Sequence, residues 1–124
     1  MRKLLVLLVA LFLVGCAFLS PKQGLVLDLV AQNAGYVTAK QNADIGESAL
    51  KLCNVKDLSF ESWSNQVVEL FVKDEFLAMN FKKMLTAVEV DVKGLAKLKD
   101  RIKVYDSAKQ NFCHGLGVGL QKKP

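Results

Sequence analysis

Apolar residues recur at helical spacing over most of this chain, and that spacing limits the fold more than any other feature of the sequence. Between residues 25 and 52, and again between 60 and 88, apolar side chains follow one another mainly at steps of three and four. A third stripe of this kind runs from residue 95 to residue 112. Such spacing collects apolar side chains on one face of an α-helix. The chain is therefore predicted to be all-α.

Individual residues mark the ends and joints of these predicted helices. Ser59 is a good N-cap for the second helix, a break near Gly46 would divide the first, and the charged residues 73–75 would divide the second. Residues 86–93 alternate apolar and polar side chains, which is the period of a β-strand. A lone strand would leave its backbone groups unpaired. We therefore favour a helix with a joint near Gly94 and keep a strand as the alternative.

The N-terminal segment has a different character. Arg2 and Lys3 precede eleven residues, 4–14, that carry no charge. Eleven helical residues span about 16 Å, whereas the apolar core of a bilayer is about 30 Å thick. The segment is therefore predicted to be the apolar part of a secretory signal peptide and not a stable membrane span.

This segment ends in Leu13-Val14-Gly15-Cys16. The four residues resemble the lipobox of bacterial lipoprotein precursors, in which aliphatic and small residues precede a cysteine. The resemblance implies cleavage between Gly15 and Cys16 and acylation of Cys16. Because Ala17 and not aspartate follows, it also implies a place on the periplasmic face of the outer membrane. Two or three acyl chains anchor a protein stably, whereas one does not. An ordinary secretory signal or an uncleaved anchor is the alternative.

If Cys16 carries lipid, Cys53 and Cys113 remain as a pair in an oxidising compartment, and such pairs typically form a disulfide. In an up-down-up bundle the ends of the first and last helices meet at one pole, and the two cysteines lie near those ends. Closing a loop of about 60 residues would stabilise the fold by roughly 4 kcal/mol. The predicted fold is thus an up-down-up bundle of three, possibly four, helices stapled by one disulfide. Two free thiols, or one thiol bound to a partner, remain the alternative.

The chain is long enough for one small domain. We assign residues 1–15 to the signal peptide, 16–24 to a lipidated tether, 25–113 to the helical domain and 114–124 to a flexible tail. Loss of the two basic residues of the signal peptide lowers the basic count from 17 to 15 against 12 acidic residues, so the net charge falls from +5 to +3. A charge this mild in an exported chain does not indicate a nucleic-acid partner.

Few residues combine into a recognisable catalytic or cofactor site. Cys113 and His114 are adjacent, but neighbouring side chains of a helix seldom point together, and an exported cysteine is typically oxidised. Gln110-Asn-Phe-Cys113-His114 has the spacing of the Cys-x-x-Cys-His haem motif of four-helix cytochromes, with Gln110 in place of the first cysteine. A haem or redox carrier is therefore the least favoured function. No catalytic residue, metal site or cofactor is predicted.

Basic residues gather around the start of the third predicted helix, and the cluster consists of Lys93, Lys97, Lys99, Arg101 and Lys103. Each such charge near an anionic surface contributes about 1 kcal/mol at most. The cluster is a candidate for contact with anionic headgroups, although a solvated helix face is the simpler interpretation.

These features predict a membrane-anchored lipoprotein of the bacterial envelope that acts as a non-catalytic binding or structural module. The apolar content exceeds what a short bundle readily buries, so a protein partner or self-association is expected. The alternative function is that of an immunity, inhibitor or phage exclusion-type lipoprotein that neutralises an enzyme or toxin in the periplasm.

Overall fold

The computed structural model describes residues 23–121, which form five α-helices and no β-strand. The helices are α1 Gln23–Gln41, α2 Ala43–Cys53, α3 Phe60–Leu70, α4 Glu75–Lys93 and α5 Leu98–Leu120. The all-α prediction is confirmed. The predicted number of three or four helices is wrong, because the first and the second predicted helix are both divided. The predicted signal peptide, 1–15, and most of the predicted tether lie outside the described residues.

Side-chain caps explain where the helices divide. Asn42 is the single residue between α1 and α2, and its side chain accepts a hydrogen bond from the Ile45 backbone N–H at 3.1 Å. This N-cap starts a new helix at Ala43. The predicted break near Gly46 lies four residues earlier, at Asn42, and Gly46 itself is a buried residue inside α2.

The second predicted helix divides where the sequence indicated. Asp74 caps α4 by accepting a hydrogen bond from the Leu77 N–H at 3.1 Å. Ser59 caps α3 through the Ser62 N–H at 3.1 Å, as predicted. Both side chains satisfy backbone donors that a helix start leaves without partners.

Residues 86–93 belong to α4, so the preference for helix over strand is confirmed. The buried residues of α4 follow steps of three and four: Leu77, Phe81, Met84, Val88 and Val92. A strand would place Val88, Val90 and Val92 on one face. The helix instead buries Val88 and Val92 and leaves Val90 exposed. Gly94 follows the last residue of the helix as its C-cap.

The most extensive packing between two helices of the described residues joins α1 and α5, which run parallel. Ser107 Oγ donates a hydrogen bond to Asp28 Oδ1 at 2.7 Å, and farther along the same pair of helices Ala39 packs against Gly119. Since both residue numbers rise together, the first and last helices point the same way.

The other helices alternate in direction around this pair. Phe81 and Glu89 of α4 contact α5 in reverse order, at Phe112 and Tyr105 respectively, so α4 is antiparallel to α5. α2 also runs against α5, as its first turns approach Leu120 and its last residue is bonded to Cys113. α3 runs with α5. We call the end of the bundle where α1 begins, α4 ends and α5 begins the entry pole.

The core consists mainly of aromatic rings from three helices. Trp63 of α3 makes edge contacts with Phe81 and Phe112, with ring centroids 5.8 and 5.6 Å apart. Phe71 makes a similar contact with Phe81 at 5.6 Å. All four rings are buried. A smaller apolar cluster, formed by Leu27, Val88, Val92 and Ala108, fills the bundle nearer the entry pole.

The predicted flexible tail is wrong for residues 114–120, which form the last turns of α5. Here the backbones of α1 and α5 nearly touch, because a Cβ on Gly115 would overlap the carbonyl oxygen of Gln32, and one on Gly35 would overlap that of Phe112. Leu116 is fully buried beside them. The glycines therefore serve close helix packing and not flexibility. Residues 122–124 lie outside the described part.

Candidate functional site

The structure contains the predicted disulfide. Cys53 and Cys113 are bonded, with their Cα atoms 6.0 Å apart. Cys53 ends α2, but α5 continues from Cys113 to Leu120, so the bond joins a helix end to a helix interior. Gly15 and Cys16, the predicted cleavage and lipidation residues, lie outside the described residues.

The predicted basic cluster lies at the entry pole. Arg101 is partly buried, and its Nε donates a hydrogen bond to the Leu95 carbonyl at 2.8 Å, which closes the turn between α4 and α5. The other four side chains are exposed: Lys93, Lys97, Lys99 and Lys103. Arg101 thus has a structural role that the four lysines lack.

Exposed apolar side chains accompany these lysines. Leu98, the first residue of α5, is 71% exposed, and Val90 and Ile102 are also exposed. Single exposed apolar residues are common on proteins. Lysines interspersed with exposed aliphatic side chains are, however, typical of surfaces that meet a membrane interface.

An acid-rimmed groove of about 630 Å³ opens on the side of the bundle, between α3 with the connection that precedes it, α4 and α5. Its apolar surface comes from Leu58, Phe60, Leu85, Ile102 and Tyr105, and its polar groups from Ser59, Glu61, Ser64, Glu89 and Asp106. No lysine or arginine is among these lining residues, all of which the structure describes. The groove therefore carries negative charge on a chain whose net charge is +5.

Tyr105 organises one wall of the groove. Its ring packs on Phe60, with centroids 4.8 Å apart, and its hydroxyl donates to Glu89 Oε1 at 3.4 Å. Burial raises the pKa of Tyr105 above its ordinary value, and the negative charge of Glu89 raises it further, while Arg101 acts in the opposite direction. The phenol thus stays a hydrogen-bond donor that holds the Glu89 carboxylate at the rim.

The residues considered for redox chemistry do not form a reactive pair. The Cys113 sulfur is bonded to Cys53, which leaves no thiol beside His114 for a nucleophile or a haem linkage. His114 is exposed. Within residues 23–121, no three histidine, cysteine or acidic side chains lie close enough together to hold a metal ion. None of the helices described combines the length and hydrophobicity needed to cross a bilayer.

The groove was not predicted from the sequence. No sequence motif links Phe60, Glu61, Glu89 and Asp106. The carboxylates come from α3, α4 and α5, so only the tertiary structure brings them together. A second surface was also missed. α1 buries one face and exposes apolar side chains on the other, namely Val26, Leu29, Val30 and Tyr36.

No protein family, curated protein or solved structure matches the chain.

Proposed function

We propose that this chain is a lipoprotein of the bacterial envelope, anchored through an acylated Cys16 to the periplasmic face of the outer membrane, and that it acts there as a non-catalytic binding module. The observation that best supports this proposal is the composition of the entry pole. α1, the helix that follows the predicted tether, begins at the same pole that carries the basic cluster and the exposed Leu98.

The reach of the chain agrees with this arrangement. Seven peptide links separate Cys16 from Gln23, so their Cα atoms are no more than about 25 Å apart even in a fully extended chain. Asp28 and Ser107 are level with each other. From that level, α1 extends five residues back to Gln23, about 7 Å, and α5 extends nine residues back to Leu98, about 13 Å. The basic start of α5 therefore projects beyond α1 at the entry pole.

The magnitudes assign different roles to the lipid and to the lysines. Acyl chains contribute about 0.8 kcal/mol for each buried methylene group, whereas a lysine near an anionic surface contributes about 1 kcal/mol and is screened by salt. The lipid would thus hold the protein on the membrane, and the basic cluster would orient the domain against anionic headgroups.

As a binding module, the protein is proposed to bind either a protein partner or a second copy of the chain. The apolar residues exposed on α1 and the acid-rimmed groove support it. An immunity or inhibitor function remains the second candidate, since the groove is a concave surface with a defined charge on which another protein could dock.

Replacement of Cys16 by serine tests the anchor. We expect the wild-type chain to be cleaved, to incorporate labelled palmitate and to sediment with membranes, because the acylated sulfur is the proposed attachment point. The Cys16→Ser variant should incorporate no palmitate and should not yield the cleaved membrane form. The double variant Cys53→Ser/Cys113→Ser is the control, and it should be labelled like wild type. Equal processing and equal membrane association of wild type and Cys16→Ser would contradict the proposal.

A further inference from the structure

We propose that the acid-rimmed groove binds the segment Lys97-Leu98-Lys99 of a second copy of this chain, so that two molecules pair about a two-fold axis near Ile102. The inference does not depend on the lipid anchor. It rests on the shape of the groove, on the apolar strip beside it and on the distribution of charge along α5.

The groove is continuous with an exposed apolar strip on α5. Leu98, Ile102 and Tyr105 follow one another at steps of four and three, which places them on one side of the helix. The strip is about 10 Å long. Ile102 and Tyr105 line the groove, and Leu98 lies outside it, 71% exposed. A helix face with this spacing is suited to packing against another helix.

Charge is segregated between the first residues of α5 and the groove, although α5 also carries Asp100 among its basic residues and Lys109 one turn beyond Tyr105. Lys97 and Lys99 flank Leu98 at one end, and Glu61, Glu89 and Asp106 surround Tyr105 at the other. The chain therefore carries on its own surface a segment, apolar between two positive charges, that is complementary to the groove. No other ligand needs to be assumed for the groove to be filled.

This segregation decides how two strips would pair. A parallel arrangement would place lysines opposite lysines and carboxylates opposite carboxylates, and like charges brought together at an interface cost several kcal/mol. An antiparallel arrangement centred on Ile102 places Leu98 of each molecule in the groove of the other. The contact is then formed twice, as two-fold symmetry requires. Arg101 and Lys103 flank Ile102 near the axis. Arg101 is held by the Leu95 carbonyl of its own chain and Lys103 is exposed on the single molecule, so neither side chain has to lie between the two copies of Ile102.

Cysteine crosslinking tests this geometry in the full chain. A residue near a two-fold axis lies close to its own copy, so the Ile102→Cys variant should give a covalent dimer with a short bismaleimide reagent. Val72→Cys is the control, because Val72 is more exposed than Ile102, at 73% against 48%, but lies at the α3–α4 turn away from the groove. It should remain monomeric. Both variants are made in a Cys16→Ser background, so that the introduced cysteine is the one thiol outside the disulfide. Failure of this test is then distinct from failure of the lipid anchor.

Charge reversal identifies the contacts. In the Ile102→Cys background, Glu61→Lys/Glu89→Lys should lower the dimer yield about tenfold, because the groove then repels Lys97 and Lys99. Co-expression with an Ile102→Cys chain that carries Lys97→Glu/Lys99→Glu should restore a mixed dimer. A far-UV circular dichroism spectrum like that of wild type confirms that each variant is folded. An Ile102→Cys chain that stays monomeric, or a dimer indifferent to both reversals, would overturn the proposal.

Discussion

Gly35 and Gly115 allow α1 and α5 to pack closely, because neither residue has a Cβ. Each lies where the backbone of the facing helix passes, and an added Cβ would overlap a carbonyl oxygen that belongs to a helix and cannot move alone. Gly119 repeats the pattern one turn later, where a Cβ would lie 2.7 Å from the Ala39 Cβ. Gly117, on the other side of the same helix, has open space beside it.

Replacement of these glycines by alanine should have opposite effects. We expect Gly35→Ala to lower the free energy of unfolding by about 2–3 kcal/mol, since α1 and α5 must separate to admit the methyl group. Gly117→Ala is the control. It meets no atom and should leave stability unchanged or raise it by up to about 1 kcal/mol, because alanine favours helix over glycine. Urea unfolding followed by circular dichroism measures both. Equal midpoints for the two variants would refute the close-packing argument.

At the scale of elements, α2 is the helix that depends most on its connections. It has eleven residues, and isolated helices shorter than about 12–15 residues are marginal in water. The Asn42 cap holds its start, and the bond from Cys53 to Cys113 holds its end. The disulfide therefore secures one of the two shortest helices to the interior of the longest one, α5.

Removal of the disulfide should reveal this dependence. We expect Cys53→Ser/Cys113→Ser to be less stable than the oxidised chain by about 4 kcal/mol, because the unfolded chain regains the freedom of a loop of about 60 residues. Hydrogen exchange should increase first in α2, while α4, which contributes five buried apolar residues and carries no cysteine, should stay protected longer. The reduced wild type is the control and should behave like the variant. Unchanged stability and exchange after removal would show that packing alone holds α2.

For the whole molecule, the charged side chains form two surfaces of opposite charge. The entry pole presents lysines toward the side from which the chain enters α1, and the groove presents carboxylates on the flank. Lys97 and Lys99 take part in the proposed pairing and Lys103 flanks Ile102, whereas Lys93 lies outside the pairing contact. Substitution of the groove carboxylates Glu61 and Glu89 changes the groove without changing the basic cluster.

Contact of the entry pole with anionic lipid should be visible by hydrogen exchange. With the protein reconstituted in vesicles, we expect residues 93–103 to exchange more slowly when phosphatidylglycerol is present than in phosphatidylcholine alone, because the lysines attract anionic headgroups. Lys93→Glu/Lys103→Glu should abolish that difference. Lys51→Glu/Lys73→Glu, two exposed lysines elsewhere, is the control and should retain it. Protection that does not depend on lipid charge would exclude this orientation.

Local features of the sequence were enough to predict the helices, the Ser59 cap and the bonded cysteines, because helical periodicity, capping and the pairing of two remaining cysteines are properties of short segments or of composition. The role of Gly115 was decided only in the tertiary structure. A glycine-containing segment near a chain end has the composition of a loose tail, and the helix that makes it rigid lies some 80 residues earlier in the chain. The acid-rimmed groove depends on the fold in the same way. Glu61, Glu89 and Asp106 become neighbours only because successive helices reverse direction and return to one flank of the bundle.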